Sequence, residues 1–156
     1  MLPEGIREFR VLFLGDVQFP NTDIDRLVAY VKWAKRVGAY VVGMGDYPDA
    51  HSPSNRVRIA EALASAYDST VTAQDRAGML DVEELYDLFR PLQGRFLGII
   101  RGLHWCQFSG DKGDTVTVLA EKLETVNLGD CAMLTLDFVK DLKTTIWAHH
   151  GTGSGW

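Results

Sequence analysis

The sequence predicts a mixed α/β fold in which sheets and helices form a layered sandwich. Two observations predict it: early segments alternate short apolar runs with helical patterns, and two late strands form a hairpin. The chain has 156 residues and is 46% hydrophobic, which suits one globular domain spanning 1–156 with a sizeable core.

A strand, a helix and a second strand open the chain. Residues 9–15 form an apolar run that ends at Gly-Asp and predicts a buried strand. The next helix begins after the N-cap residues at 21–23, and Gly38 stands where a C′ glycine belongs. Residues 39–44 predict a second strand. This βαβ order implies parallel strands joined by a right-handed crossover.

The middle of the chain, 52–93, is predicted to be mainly helical, with one helix that begins at Pro53. Residues 69–78 are polar and weakly patterned, so they predict a connection between two helices. Asp81 with Glu84 resembles a capping box and predicts the start of the next helix. Gly94 ends that helix.

The last third predicts one strand, one short helix and a hairpin. Residues 95–101 read as the third strand, and a helix over 115–123 follows a glycine-rich loop. Residues 131–138 and 143–149 have strand patterns separated by a short connection, which indicates an antiparallel hairpin. The glycine-rich ending reads as a loop, and a domain rarely stops on one.

Composition excludes several classes of protein. The net charge of −5 repels polyanions, so general nucleic-acid binding is not indicated. No apolar run approaches the ~20 residues that span a bilayer, and the N-terminus lacks a secretory pattern. Cys106 and Cys131 form no metal-type pair, which favours free thiols and a cytoplasmic location.

Polar clusters follow the apolar runs at four places in the chain. They are Gly15-Asp16, Gly45-Asp46, Gly102-Leu103-His104 and His149-His150-Gly151. A single Gly-Asp is more typical of an ordinary turn. Two adjacent parallel strands that end in Asp16 and Asp46 bring like charges together, and a cation between them relieves the repulsion. The pattern therefore predicts a metal centre, with two ions sharing one carboxylate.

These clusters resemble the motif series of the calcineurin-like metallophosphoesterase superfamily. That series runs Asp-x-His, Gly-Asp-x-x-Asp, Gly-Asn-His, a later His and Gly-His-x-His, and four of the five blocks have counterparts here in order. The pairing of 45–49 with 102–104 is the most specific part, and segment 52–56 is most similar to phage and bacterial members. The resemblance implies an αββα metallophosphoesterase-like sandwich that is incomplete at its C-terminus.

The resemblance also implies a set of metal ligands. Asp16 would bind the first metal with Gln18, which stands where the family has a histidine, and Asp46 would bridge both metals. His150 would bind the second metal, with His149 as the less favoured choice. The implied cofactors are two divalent ions, Mn, Fe or Zn, or a single bound ion.

Catalytic and substrate-binding roles follow from the same resemblance. His104 would be the acid that protonates the leaving oxygen, and Asp49 would orient it. Arg56, with Asn55, would bind the substrate phosphate, since a guanidinium matches phosphate geometry. The bound cations would neutralise phosphate charge and activate a water for in-line attack.

Three departures from the family pattern weaken the metal site. Gln18 offers an amide oxygen, a poorer ligand than imidazole for a transition metal, and Leu103 replaces the motif Asn. The Gly-His-x-His block is absent. A degenerate scaffold that binds or assembles without efficient catalysis is therefore the alternative to a phosphoesterase acting on phosphate mono- or diesters.

Two further expectations concern other classes and partners. A Rossmann-type nucleotide module is disfavoured, because the first strand–helix turn has neither GxGxxG nor a Walker lysine. The expected partners are a phosphate-ester substrate and a second copy of the chain in a homo-oligomer, which would cover exposed sheet edges. No membrane partner is expected.

Overall fold

The computed structural model describes residues 8–49, 70–138 and 142–151, and the predicted mixed α/β class is confirmed. These residues contain three α-helices and two small sheets, and within them no sheet closes into a barrel. The strands are β1 (Val11–Leu14), β2 (Tyr40–Gly43), β3 (Phe96–Ile99), β4 (Cys131–Asp137) and β5 (Lys143–His149); the helices are α1 (Ile24–Val37), α2 (Thr70–Phe89) and α3 (Thr115–Lys122).

The first sheet is parallel and has the order β1-β2-β3. Its strands are four residues long and largely apolar; β2 and β3 are mostly buried, whereas the edge strand β1, predicted to be buried, is only partly so because Phe13 is half-exposed. Helix α1 connects β1 with β2, and both of its predicted ends are confirmed. The Asp23 side chain accepts a hydrogen bond from the Arg26 backbone N–H at 3.0 Å, and Gly38 adopts φ 68° beyond the last turn.

Two hydrophobic cores place the other elements around this sheet. The three helices share one core with the first face of the sheet, where Val31 of α1, Leu85 of α2 and Leu119 of α3 are buried. The second core joins Val42 and Ile100 to Ala148 of the β4–β5 hairpin. The helices therefore pack on one face of the parallel sheet and the hairpin packs on the other.

The predicted hairpin is confirmed as an antiparallel pair in which Cys131 lies opposite His149. Residues alternate between the two faces, so Ala132, Leu134 and Ala148 meet the parallel sheet. Met133 and Trp147, on the outer face, are 72% and 70% exposed. The outer face is thus solvent-accessible in the described part of the chain.

Helix α2 corrects two predictions. The connection predicted over 69–78 is wrong, because α2 runs without interruption from Thr70 to Phe89. The helix start predicted at Asp81 is also wrong, because Asp81 lies buried within α2. In the first half of α2 the buried face includes the small residues Ala73 and Ala77, which carry little hydrophobic signal in the sequence.

Several predictions fall outside the described residues. They are the helix that begins at Pro53 and the substrate-binding residues Asn55 and Arg56. Among the helices that the structure does describe, none has both the length and the apolar content that a bilayer span requires. The predicted cytoplasmic location and homo-oligomer stay predictions.

Candidate metal centre

The loops after β1 and β2 run side by side beyond the ends of their strands. The Gln18 backbone N–H donates to the Asp46 carbonyl oxygen at 2.8 Å, and the Phe19 N–H donates to the Tyr47 carbonyl at the same distance. The Asp49 N–H then donates back to the Phe19 carbonyl at 2.8 Å. The parallel pairing of the strands thus continues through the two Gly-Asp loops and holds them in register.

Asp46 is the buried centre of the cluster, with 3% of its surface exposed. Its Oδ1 accepts hydrogen bonds from the backbone N–H groups of Leu103 at 2.5 Å and His104 at 2.9 Å. A Cβ atom on Gly102 would lie 1.9 Å from Asp46 Oδ1, so only glycine allows this approach. The loop after β3 therefore locks the Asp46 carboxylate in one orientation and leaves Oδ2 for other partners.

His150 meets Asp46 from the end of β5. Its Nδ1 lies 2.7 Å from the Met44 carbonyl oxygen, and because a carbonyl only accepts, Nδ1 is the protonated nitrogen. In the neutral ring Nε2 then carries a lone pair, 3.0 Å from Asp46 Oδ2. A lone pair directed at a carboxylate oxygen is unfavourable unless a cation or a proton lies between them. The donor chemistry of this pair fits a bound cation.

Asp16 adds a third ligand atom to this pair. One atom each from Asp16, Asp46 and His150 lies within 4.8 Å of the others, and Asp16 Oδ1 is 3.9 Å from His150 Nε2. Two carboxylate oxygens and one imidazole nitrogen suit Mn, Fe or Zn. Asp16 is exposed, so the cluster is open to solvent.

The arrangement differs in one respect from the ligand set that the family resemblance implies. Asp16 and His150 were assigned to different ions, whereas the structure gathers both around one position with Asp46. Gln18 lies two residues after Asp16 on the same loop and is half-buried. In the described ranges no second group of three acidic, histidine or cysteine ligands is found. The described residues therefore supply one cluster of three side chains that could hold a cation.

A second polar group adjoins the cluster and contains His104. The His104 Nδ1 lies 3.0 Å from Oδ1 of the buried Asp49, and its Nε2 lies 3.9 Å from Asp46 Oδ2. The Asn21 side-chain amide donates to Asp49 Oδ2 at 2.6 Å. Asp49 and His104, paired in the sequence prediction, are thus in contact. Asn21 was missed there, because its only visible signal was N-cap chemistry, and Asp23 is the N-cap.

The side chains of His149 and Leu103 are not part of the cluster of Asp16, Asp46 and His150. His149 is exposed on β5, and its Nδ1 accepts a hydrogen bond from the Gly151 N–H at 3.0 Å. Successive residues of a strand point to opposite faces, which separates His149 from Ala148 and the buried side of the hairpin. Leu103 is 55% exposed and gives the site only its backbone N–H.

Cys106, close to His104 in the sequence, has the properties of a structural thiol. Burial raises its pKa above the usual value of 9.0, and the charges of Asp75, Asp81 and Asp114 raise it further. A thiol with a raised pKa is a poor nucleophile. Phe108, four residues after His104, is buried and belongs to the core.

Comparison of the chain with protein-family models, with curated proteins and with solved structures gave no match. The residues of the site and their geometry therefore carry the functional argument.

Proposed function

We propose that this chain is a metal-dependent phosphoesterase that hydrolyses phosphate mono- or diesters. The observation that carries the proposal is the cluster of Asp16, Asp46 and His150 at the strand ends, directly beside the Asp49–His104 pair. The proposed fold is an αββα sandwich. The order of helices, parallel sheet and hairpin supports three of its four layers.

Asp16, Asp46 and His150 would hold a divalent cation, Mn, Fe or Zn, and the family resemblance implies two. When bound, such a cation supplies charge neutralisation for a phosphate and activates water for attack. The protein itself prepares the site by fixing two of these three side chains. Two backbone N–H groups orient the Asp46 carboxylate, and the Met44 carbonyl fixes the tautomer and the ring orientation of His150.

His104 would act on the leaving group of the ester. Because Nδ1 faces the Asp49 carboxylate, Nε2 is the nitrogen left to carry a proton to the leaving oxygen. The Asp49 carboxylate would accept the Nδ1 hydrogen and hold the imidazole ring in this orientation. The family motif has an Asn ligand at the position of Leu103, whose side chain is apolar. At this position the chain therefore contributes only a backbone N–H, which contacts Asp46.

The first prediction tests this proposal through Asp46. In Asp46→Asn the Asn Oδ1 can still accept both backbone hydrogen bonds, so the loop is kept while the negative charge is removed. Manganese affinity by calorimetry and hydrolysis of bis(p-nitrophenyl) phosphate and p-nitrophenyl phosphate are expected to fall by more than about 100-fold. The matched control is Asp137→Asn, an exposed carboxylate on β4, which is expected to leave both unchanged.

Two outcomes contradict the proposal: a wild-type protein that binds no divalent metal, or an Asp46→Asn variant as active as the wild type.

Leu103 and Gln18 favour a second candidate, a scaffold that keeps the fold and binds its ligand without turnover. Manganese binding by the wild type without cleavage of either ester would select that second candidate.

A further inference from the structure

We propose that Asn21 is a positioning residue that holds the His104 acid in its working orientation through Asp49. This inference rests on the proposed phosphoesterase function, because it assigns Asn21 a part in protonating the leaving oxygen. Asn21 belongs to none of the family motifs quoted above. Its placement follows from the loop pairing that brings the segment after β1 against the segment after β2.

The hydrogen bonds form a continuous path from one loop to the next. The Asn21 backbone N–H donates to the Gln18 carbonyl at 2.9 Å, and its side-chain amide donates to Asp49 Oδ2 at 2.6 Å. Asp49 Oδ1 faces His104 Nδ1 at 3.0 Å. The His104 backbone N–H donates to Asp46 Oδ1 at 2.9 Å. Asn21 therefore connects the loop that carries Asp16 and Gln18 to the imidazole.

The amide restricts the plane of the Asp49 carboxylate. Rotation about the bond between Cβ and Cγ of an aspartate is broad, and its two oxygens are equivalent, so the angle of the carboxylate plane decides how well an oxygen faces His104. The hydrogen bond from the Asn21 amide to Oδ2 narrows that rotation and helps to hold Oδ1 in line with Nδ1. Because Nδ1 is kept as the donor, Nε2 stays on the side of Asp46.

A simple structural role in helix α1 does not account for this contact. The N-cap is Asp23, whose carboxylate accepts from the Arg26 N–H at 3.0 Å. Loss of the Asn21 side chain leaves that cap in place. The effect of a substitution is therefore expected at His104 rather than in the stability of the helix.

The second prediction is the kinetic test. Asn21→Ala is expected to lower kcat about 10- to 100-fold for an alkyl phosphate ester, with KM within about twofold. The loss should be smaller for a p-nitrophenyl ester, because a good leaving group needs little protonation. Asn21→Asp replaces the donor by a carboxylate of the same shape and should lose at least as much. The control is Asn127→Ala. The Asn127 amide lies away from the site and donates a hydrogen bond to Thr117 Oγ1 at 2.9 Å.

A spectroscopic measurement separates this inference from the proposed function. In the metal-free wild type, nitrogen-edited NMR should show a protected Nδ1 proton on His104, which Asn21→Ala loses and Asn127→Ala keeps. An Asn21→Ala variant that retains this proton, or that loses the same factor for both leaving groups, overturns the inference. If the wild type cleaves no ester, the proposed function fails, and the NMR comparison still decides the role of Asn21.

Discussion

The backbone of the candidate site adopts a conformation that side chains usually avoid. Asp16, Gln18 and Asp46 have φ values of 50°, 48° and 53°, in the left-handed region. In the described ranges, only Glu124 shares this conformation among residues other than glycine. A left-handed residue with a side chain costs about 1–2 kcal/mol, and such residues cluster at functional sites. The strain at these three positions agrees with a role for both loops in binding.

The third prediction concerns the contact between Gly102 and Asp46. In Gly102→Ala the new methyl group would lie 1.9 Å from Asp46 Oδ1, so the carboxylate must move and its two backbone hydrogen bonds weaken. We expect the free energy of unfolding to fall by about 1–3 kcal/mol and manganese affinity to fall with it.

Denaturant titration and calorimetry measure the two effects of Gly102→Ala. The control is Gly110→Ala, where a methyl group meets open space and only the φ of 68° is unfavourable. That control should lose about 1 kcal/mol of stability and no metal affinity. Equal manganese affinity in the Gly102→Ala variant and the wild type would contradict the locked carboxylate.

At the scale of elements, the strands were readable from the sequence and one helix was not. Short unbroken apolar runs that end at a glycine or a polar residue indicate strands, so β1, β2 and β3 could be predicted, and with them the polar residues at their ends. The beginning of α2 was missed because its buried side uses alanines among polar residues. The Asn21–Asp49 contact could not be predicted, because it depends on loop pairing that has no sequence period.

The fourth prediction tests how the hairpin holds His150 in the site. Ala148 is fully buried between the hairpin and the parallel sheet, whereas the next residue towards the N-terminus, Trp147, lies on the exposed outer face. In Ala148→Leu the larger side chain should push β5 away from Val42 and lower the free energy of unfolding by about 1–3 kcal/mol. His150 would then lose its contact with Met44, and manganese affinity should fall in calorimetry.

Thr145→Leu is the control for this variant, because Thr145 is exposed on the same strand. It is expected to change the free energy of unfolding by no more than about 0.5 kcal/mol. Should Ala148→Leu lose stability while keeping its full manganese affinity, the packing of β5 does not position His150.

At the scale of the whole molecule, two buried titratable groups link stability to alkaline pH. Burial raises the pKa of the Cys106 thiol and, more strongly, that of the Tyr47 hydroxyl. Both groups are protonated in the folded protein at a pH where the unfolded chain has begun to release its protons. Their contribution to stability is complete below the unfolded-state pKa and declines as the pH rises above it.

The fifth prediction follows from this linkage. The free energy of unfolding, measured by denaturant titration under reducing conditions, should fall as pH rises above about 9, with Cys106 contributing at most about 1.4 kcal/mol per pH unit. Cys106→Ala should reduce that slope. Cys131→Ala, which replaces an exposed thiol, is the matched control and should keep it. Identical slopes in the two variants would argue against a buried Cys106.

The hydrogen bond between His150 and the Met44 carbonyl joins residues that are far apart in the sequence, so it forms late during synthesis. The two residues are separated by 106 positions, and a ribosome adding 5–20 residues per second needs about 5–20 s to cover that distance. Throughout that interval the nascent chain carries Asp16 and Asp46 without the imidazole that joins them. The three side chains of the proposed cation site therefore come together only after the hairpin has been translated and has docked on the parallel sheet.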